Sequence, residues 1–267
     1  MWRGPELSTL TAVLTHLPAS DVNARLGVLT AIAPQSRFVV CHTGELAELD
    51  RIDGEKAHLD EPTLSGPARH LQSLNRAFDL IWETWVRDAP QVDAIYLVEY
   101  DHAILSPYFD DLLRELAQRT GADLLGHDAA DRTATNDEHY IRFRRDPALL
   151  AHLNGLSVRE DKERIFGCLG TGIWLTRRAL AAYVAVGDKP PCYCETYVPT
   201  LVHHLGMRVV DVDAHSDLYR AVRWIGRFDA ADVVAAASEG VVFVHPVKEL
   251  ETWQALGRDL IGIGSGR

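Results

Sequence analysis

Glu99 and Asp101 are two carboxylates one residue apart, placed where the apolar run Ala94–Val98 of DAIYLVEYDH ends. On an extended chain, residues i and i+2 point to the same side. The pair can therefore hold a hard divalent cation, Mg2+ or Mn2+, whose remaining positions go to water and diphosphate oxygens. A solvated acidic turn at a strand end would carry the same pattern. A cation here would supply positive charge that the chain lacks, because its formal net charge is −11. That balance repels phosphate backbones and anionic lipid, so nucleic acid and membrane surfaces are disfavoured partners.

The elements that must position this pair follow from the hydrophobic pattern. LTAVLTHL (10–17) reads as a strand ended by Pro18. Ser20 or Asp21 can cap a helix carrying Val22, Leu26, Leu29 and Ile32 or Ala33 at helical spacing. RFVVC (37–41) reads as a second strand, and residues 50–67 as a polar surface loop. Leu71, Leu74, Phe78, Ile81, Trp82 and Trp85 form one face of an amphipathic helix. The unbroken apolar run before Glu99 fits a central strand covered on both faces. A helix from Phe109 to Ala117, stopped by Gly121, and a strand at 122–125 follow. This order predicts an α/β fold: a Rossmann-like, mostly parallel central sheet with helices on both faces. Ligands of such sheets bind beyond the carboxyl ends of the strands, where Glu99 and Asp101 lie.

Beyond Gly126 the pattern loosens. Residues 128–145 read as charged and irregular, then helices are expected at 147–153, through Ala185 after the cap Thr176, at 195–205 and near 250–260. Strands are expected at 173–175, 207–212 and 241–244, and GIGSGR as a frayed tail. The 267 residues fit one domain, with residues 1–126 and 127–267 as its halves. Cys192 and Cys194 form C-x-C after a Pro-Pro turn, and read as small semi-buried residues rather than a zinc site. No apolar run is long enough to span a bilayer, no signal peptide is apparent, and a cytoplasmic location is expected. Nothing in the sequence specifies an oligomeric state.

With this placement, LVEYDHAIL resembles the metal-binding D-x-D segment of the GT-A glycosyltransferases, with Glu99 standing for the first Asp. The resemblance implies a hexosyltransferase that takes a nucleotide diphosphate sugar and an acceptor hydroxyl, with inversion. It further implies that Thr15, His16 and Thr43 lie near the base and ribose, with Tyr100 in the motif between its two carboxylates. Glu195, ahead of YVPTLVHHLG, becomes the general base on the acceptor. His245 in VVFVHPVK completes the metal shell, and Lys248 meets the diphosphate. The Gly167–Gly172 segment, GCLGTG, resembles the family's acceptor-side strip. Each position also has a plainer reading: polar strand ends for Thr15, His16 and Thr43, a favourable helix-start charge for Glu195, a strand-ending histidine for His245 and a glycine turn for 167–172. The basic groups Arg142–Arg145 and Arg220, Arg223 and Arg227 read as solvent faces. The rivals are a nucleotidyltransferase or metal-dependent hydrolase on a similar fold, or a domain that binds nucleotide or glycan without turnover. The first would carry an early Gly-rich basic loop where this chain reads THLPASD.

Overall fold

The structure, a computed structural model, describes residues 8–60, 67–190 and 192–264, and their side chains apart from 67–73, 138–139 and 260–264. The chain before Ser8, positions 61–66 of the expected loop, Pro191 of the Pro-Pro turn and the last three tail residues lie outside the described residues, as does the Leu71 side chain.

Strand and helix alternate through the first half. β1 (Ser8–Thr15) leads into α1 (Ala19–Ile32), β2 (Arg37–His42), the single turn α2 (Leu46–Leu49) and β3 (Glu55–His58). α3 (Pro67–Ile81) runs on into a π-helical turn, Trp82–Val86, before β4 (Val92–Glu99) and β5 (Ala103–Ile104). α4 (Phe109–Thr120) ends at Gly121, whose φ of 66° is left-handed and free of strain without a Cβ. β6 (Leu124–Gly126) and β7 (Ala130–Asp131) follow, then α5 (Glu138–Arg144), α6 (Pro147–Leu156), β8 (Phe166–Gly167) and β9 (Ile173–Thr176). The chain closes with α7 (Arg177–Ala185), α8 (Cys194–His204), β10 (Val209–Asp211), β11 (Ala221–Val222), α9 (Ala230–Ser238), β12 (Phe243–His245) and α10 (Leu250–Gly264). No described helix is long and apolar enough to cross a membrane.

Among the described residues, seven strands form the central sheet in the order β10-β6-β9-β4-β1-β2-β3. β4, β1, β2 and β3 are parallel neighbours, as are β6 and β10, whereas β9 runs antiparallel between β4 and β6. Helices cover both faces, giving the mostly parallel α/β fold that the sequence predicts. The apolar run in β4 divides by alternation. Ile95 and Leu97 enter one core with residues of α3, α7 and α8, while Ala94, Tyr96 and Val98 enter the other with residues of α1, α4 and α10. A strand buried on both sides needs apolar residues at every position, which is why this run is unbroken. Both cores draw residues from before and after Gly126.

A three-stranded sheet, β11-β12-β5, decides the geometry of the site. β12 pairs antiparallel with β5, Val244 opposite Ala103, and Val247 N–H donates to the Asp101 carbonyl at 2.7 Å. Residues far apart in sequence are thereby fixed beside the end of β4.

Some local expectations change. Residues 50–67 include β3, an edge strand whose polar sequence EKAH carries no strand pattern of its own. Residues 128–145 include β7 and α5, and α9 adds a helix at its capping box of Asp229 and Asp232. α1 begins after Pro18 without a side-chain cap, so neither Ser20 nor Asp21 serves as one.

Candidate active site

Glu99 is the last residue of β4, and Asp101 is not on the extended strand. His102 N–H donates to the Glu99 carbonyl at 3.0 Å, closing a turn over 99–102. The two carboxylates are brought together by this turn and not by the two-residue period of a strand, which corrects the expected cause of their approach. The Thr171 hydroxyl accepts the Glu99 N–H at 2.8 Å, satisfying it where β9 no longer pairs with β4.

The small sheet adds His245. Ligand atoms of Glu99, Asp101 and His245 all lie within 4.8 Å of one another, and His245 Nε2 is 3.3 Å from Asp101 Oδ1. His245 Nδ1 faces the Arg223 carbonyl at 2.9 Å. A proton on Nδ1 directed there leaves Nε2 with a lone pair facing the carboxylates. Asp101 Oδ1 is buried and has no hydrogen-bond partner among the described residues. Burial pushes the Glu99 carboxyl up to about 7; the Asp101 charge adds to this, and His245 and Lys248 oppose it. Two carboxylates crowded in a desolvated place, with one oxygen unpartnered, form a ligand set short of positive charge. His245 precedes Pro246 through a cis peptide.

Tyr100 N–H donates to the Leu14 carbonyl at 3.0 Å, and its ring stands edge-on to the exposed His16 at 5.2 Å. Thr15 is buried; its hydroxyl accepts the Leu17 N–H and its carbonyl the Thr43 N–H at 2.8 Å. Thr15, His16, Thr43 and Tyr100 are thus together at the ends of β1, β2 and β4. Lys248 is exposed, and its charge reaches Glu99.

Glu195 lies in the first turn of α8 and is 8% exposed. Oε1 accepts the Gly170 N–H at 2.8 Å and Oε2 the Tyr193 hydroxyl. A Cβ at Gly170 would stand 3.1 Å from Oε1, a contact that the Glu195 side chain would have to relieve by shifting a few tenths of an ångström. Burial pushes the Glu195 carboxyl up to about 8; the Gly170 N–H opposes that shift and the Glu99 charge adds to it. Glu195 therefore shares an electrostatic environment with Glu99, but it stands outside the ligand set.

Arg25 escaped the sequence reading. Arg25 is 4% exposed; it donates to the Lys248 carbonyl at 2.6 Å and lies over the Tyr100 and Trp253 rings. Its signal was an arginine within the apolar stripe of α1, between Val22 and Leu29. His102 is buried, bonds the Tyr96 hydroxyl at 2.9 Å and stacks on His245 at 5.9 Å. Burial pushes the His102 imidazole well below its ordinary value. Among the plainer readings, Cys192 and Cys194 are free thiols. Arg142, Arg145, Arg220, Arg223 and Arg227 are exposed, while Phe143 is buried.

No family model and no curated protein matches the chain in sequence. Among solved structures it is similar to a glycosyltransferase involved in the glycosylation of the major capsid of PBCV-1. Identity is 10%, coverage is 93% of this chain and 98% of that one, and the TM-score is 0.42. That likeness is too slight to carry an argument about activity.

Proposed function

We propose that the chain is a glycosyltransferase that moves a hexosyl group from a nucleotide diphosphate sugar to an acceptor hydroxyl, with Mn2+ or Mg2+ held by Glu99, Asp101 and His245. The observation that carries this reading is the buried, unpartnered Asp101 Oδ1 beside a second carboxylate and an imidazole aimed at it. Two carboxylates and one imidazole suit an Mn2+-like ion, with positions left for diphosphate and water. When bound, the cation offsets the charge that grows on the leaving diphosphate.

The chain's own residues do the rest. Lys248, close enough to influence Glu99, offers a second positive charge to the diphosphate. Thr15, His16, Thr43 and Tyr100 line the strand ends at which a nucleoside would lie. Tyr100 is held from behind by Arg25, and Arg25 also fixes the Lys248 backbone. Inversion at the anomeric carbon needs one base on the acceptor side. Both Glu195 oxygens are engaged and burial pushes its carboxyl up to about 8, so the base role that the resemblance implies requires its proton to leave first. At neutral pH it serves as the clamp on Gly170.

A thermal-shift screen of UDP-, GDP- and dTDP-linked hexoses, with and without Mn2+, tests the reading. The expected result is stabilisation by one nucleotide class that requires Mn2+ and is lost in Asp101→Ala. If no nucleotide shifts the melting temperature with Mn2+ present, the transferase reading fails. A shift without release of nucleoside diphosphate would instead make the chain a binding domain.

A further inference from the structure

β6 and β10 end side by side, Gly126 opposite Asp211, and Val212 N–H donates to the Gly126 carbonyl at 3.0 Å. The residues after them leave the sheet together, on the edge that carries Glu99. There Asp213 Oδ2 accepts from His127 Nδ1 at 2.6 Å and from the Asp128 N–H at 3.3 Å. Asp211 Oδ1 accepts the N–H groups of Ala129 and Asp213, both at 3.3 Å. Asp128 has a φ of 52° and is the single non-glycine residue in the left-handed region among the described residues. Aspartate tolerates that region better than most residues, and the two carboxylates bind the turn on both sides of it. The His127 imidazole is thereby held in one orientation.

That orientation suits a base. The His127 side chain keeps 15% exposure, and its Nε2 has no hydrogen-bond partner among the described residues. With Nδ1–H donated to Asp213, Nε2 carries the lone pair. Its backbone is tied to the glycine strip. Leu169 N–H donates to the His127 carbonyl at 3.0 Å, and the next residue, Gly170, donates to Glu195. The His127 ring is 6.3 Å from Tyr219, which is 6.3 Å from His102, which in turn stacks on the ligand His245. His127 and the cation ligands thus flank the same glycine strip.

We propose that His127, oriented by Asp213, is the general base that takes the proton of the acceptor hydroxyl. The proposal rests on the transferase reading. In the step, the acceptor oxygen uses a lone pair to form its bond to the anomeric carbon, and its proton passes to His127 Nε2. The bond from that carbon to the diphosphate oxygen breaks, and its electron pair leaves on the diphosphate. Asp213 stabilises the imidazolium, which then releases its proton to water. Burial pushes the Asp213 carboxyl up, but the hydrogen bond from His127, and the charge that ring carries once protonated, bring it below the ordinary range. Glu195 lacks this preparation because both of its oxygens already receive donors.

The test is release of nucleoside diphosphate, with water as acceptor, from whichever UDP-, GDP- or dTDP-hexose stabilises the wild type with Mn2+. His127→Ala should lower the rate about 100-fold, and added imidazole should restore at least about tenfold of that loss by supplying the missing base. Mn2+ and nucleoside diphosphate affinities should stay within about threefold of wild type, which separates a proton-transfer role from loss of the site. Asp213→Asn should slow release without rescue by imidazole. A His127→Ala rate within about threefold of wild type, or a loss that imidazole does not restore while Glu195→Gln removes activity outright, overturns the proposal and returns the base to Glu195. Absence of any nucleotide-dependent shift in the wild type is a separate result, and it fails the transferase reading together with the proposal.

Discussion

Two carboxyl environments meet across the Thr171 and Gly170 strip, and they are built in opposite ways. At the Glu99–Asp101–His245 end, a buried carboxylate oxygen has no donor and two acids crowd one imidazole. At Glu195, a buried carboxyl receives a backbone N–H on one oxygen and a phenol on the other. Burial raises both Glu99 and Glu195. On the proposed reading the unsatisfied end stores affinity for a cation, whereas the satisfied one holds a glycine strip in place. Raised carboxyl groups alone do not distinguish catalysis from architecture; their hydrogen-bond partners do.

The most direct way to break this comparison is to remove one carboxylate from each side. Asp101→Ala should reduce nucleoside diphosphate release by at least about 1000-fold, on the scale of removing a main charge-stabilising group. The metal-free protein should hold its melting temperature or gain slightly, because a crowded negative charge is gone. Wild type in Mn2+ at a hundred times its Kd gains about 2.7 kcal/mol, and the variant should gain none. Glu195→Ala should behave in reverse. It leaves the buried Gly170 N–H without its acceptor, at roughly 1–3 kcal/mol. Urea unfolding should show that loss, with Mn2+ stabilisation retained. If Asp101→Ala proves the more destabilising in the metal-free protein, the assignment of stored affinity to that end is wrong.

The two acids also make a prediction in pH. Each binds its proton more tightly folded than unfolded, since the folded values are about 7 for Glu99 and about 8 for Glu195 against an ordinary 4.5. Their contribution to stability is therefore fully present below pH 4.5, declines as pH rises through this window, and is lost above about pH 8. Mn2+ must displace the Glu99 proton, so binding at pH 6 should release roughly one proton. Calorimetry in buffers of differing ionisation enthalpy measures that number. Glu99→Gln should abolish the release and Glu195→Gln should leave it in place; equal effects from both would make the two sites one.

How much of this was readable beforehand depends on how local each cause is. The unbroken apolar stretch Ala94–Val98 announces a doubly covered strand, and the acidic pair after it announces a site, because both patterns are contiguous. His245 was reachable by resemblance, but its delivery to Asp101 rests on β12 pairing with β5, which sequence spacing does not encode. β3 was missed because an edge strand with the sequence EKAH is ordered by its neighbour β2 and not by its own pattern. His127 and Asp213 are 86 residues apart and meet only because β6 and β10 are parallel neighbours. Glu195 was reachable by resemblance, with a helix-start charge as the plainer reading, but the donors on its two oxygens decide its state. One of these, Tyr193, is two residues away, and the other, Gly170, is distant in the chain.

The smallest expected effect lies at the seam between the two environments. Thr171 is fully buried, and its hydroxyl accepts the Glu99 N–H while the neighbouring Gly170 donates to Glu195. Thr171→Val keeps the volume and removes the acceptor, so one backbone N–H loses its partner at about 1–2 kcal/mol. Thr171→Ser keeps the acceptor and removes only a methyl, for about 1 kcal/mol or less. If the hydroxyl sets the position of the Glu99 carboxylate, Mn2+ affinity should fall about three- to tenfold in Thr171→Val and return close to wild type in Thr171→Ser, as for groups that orient a metal ligand. Titration of both variants with Mn2+, beside urea unfolding of each, separates the two consequences. A stability loss in Thr171→Val with unchanged Mn2+ affinity would place Thr171 wholly on the architectural side, with Glu195.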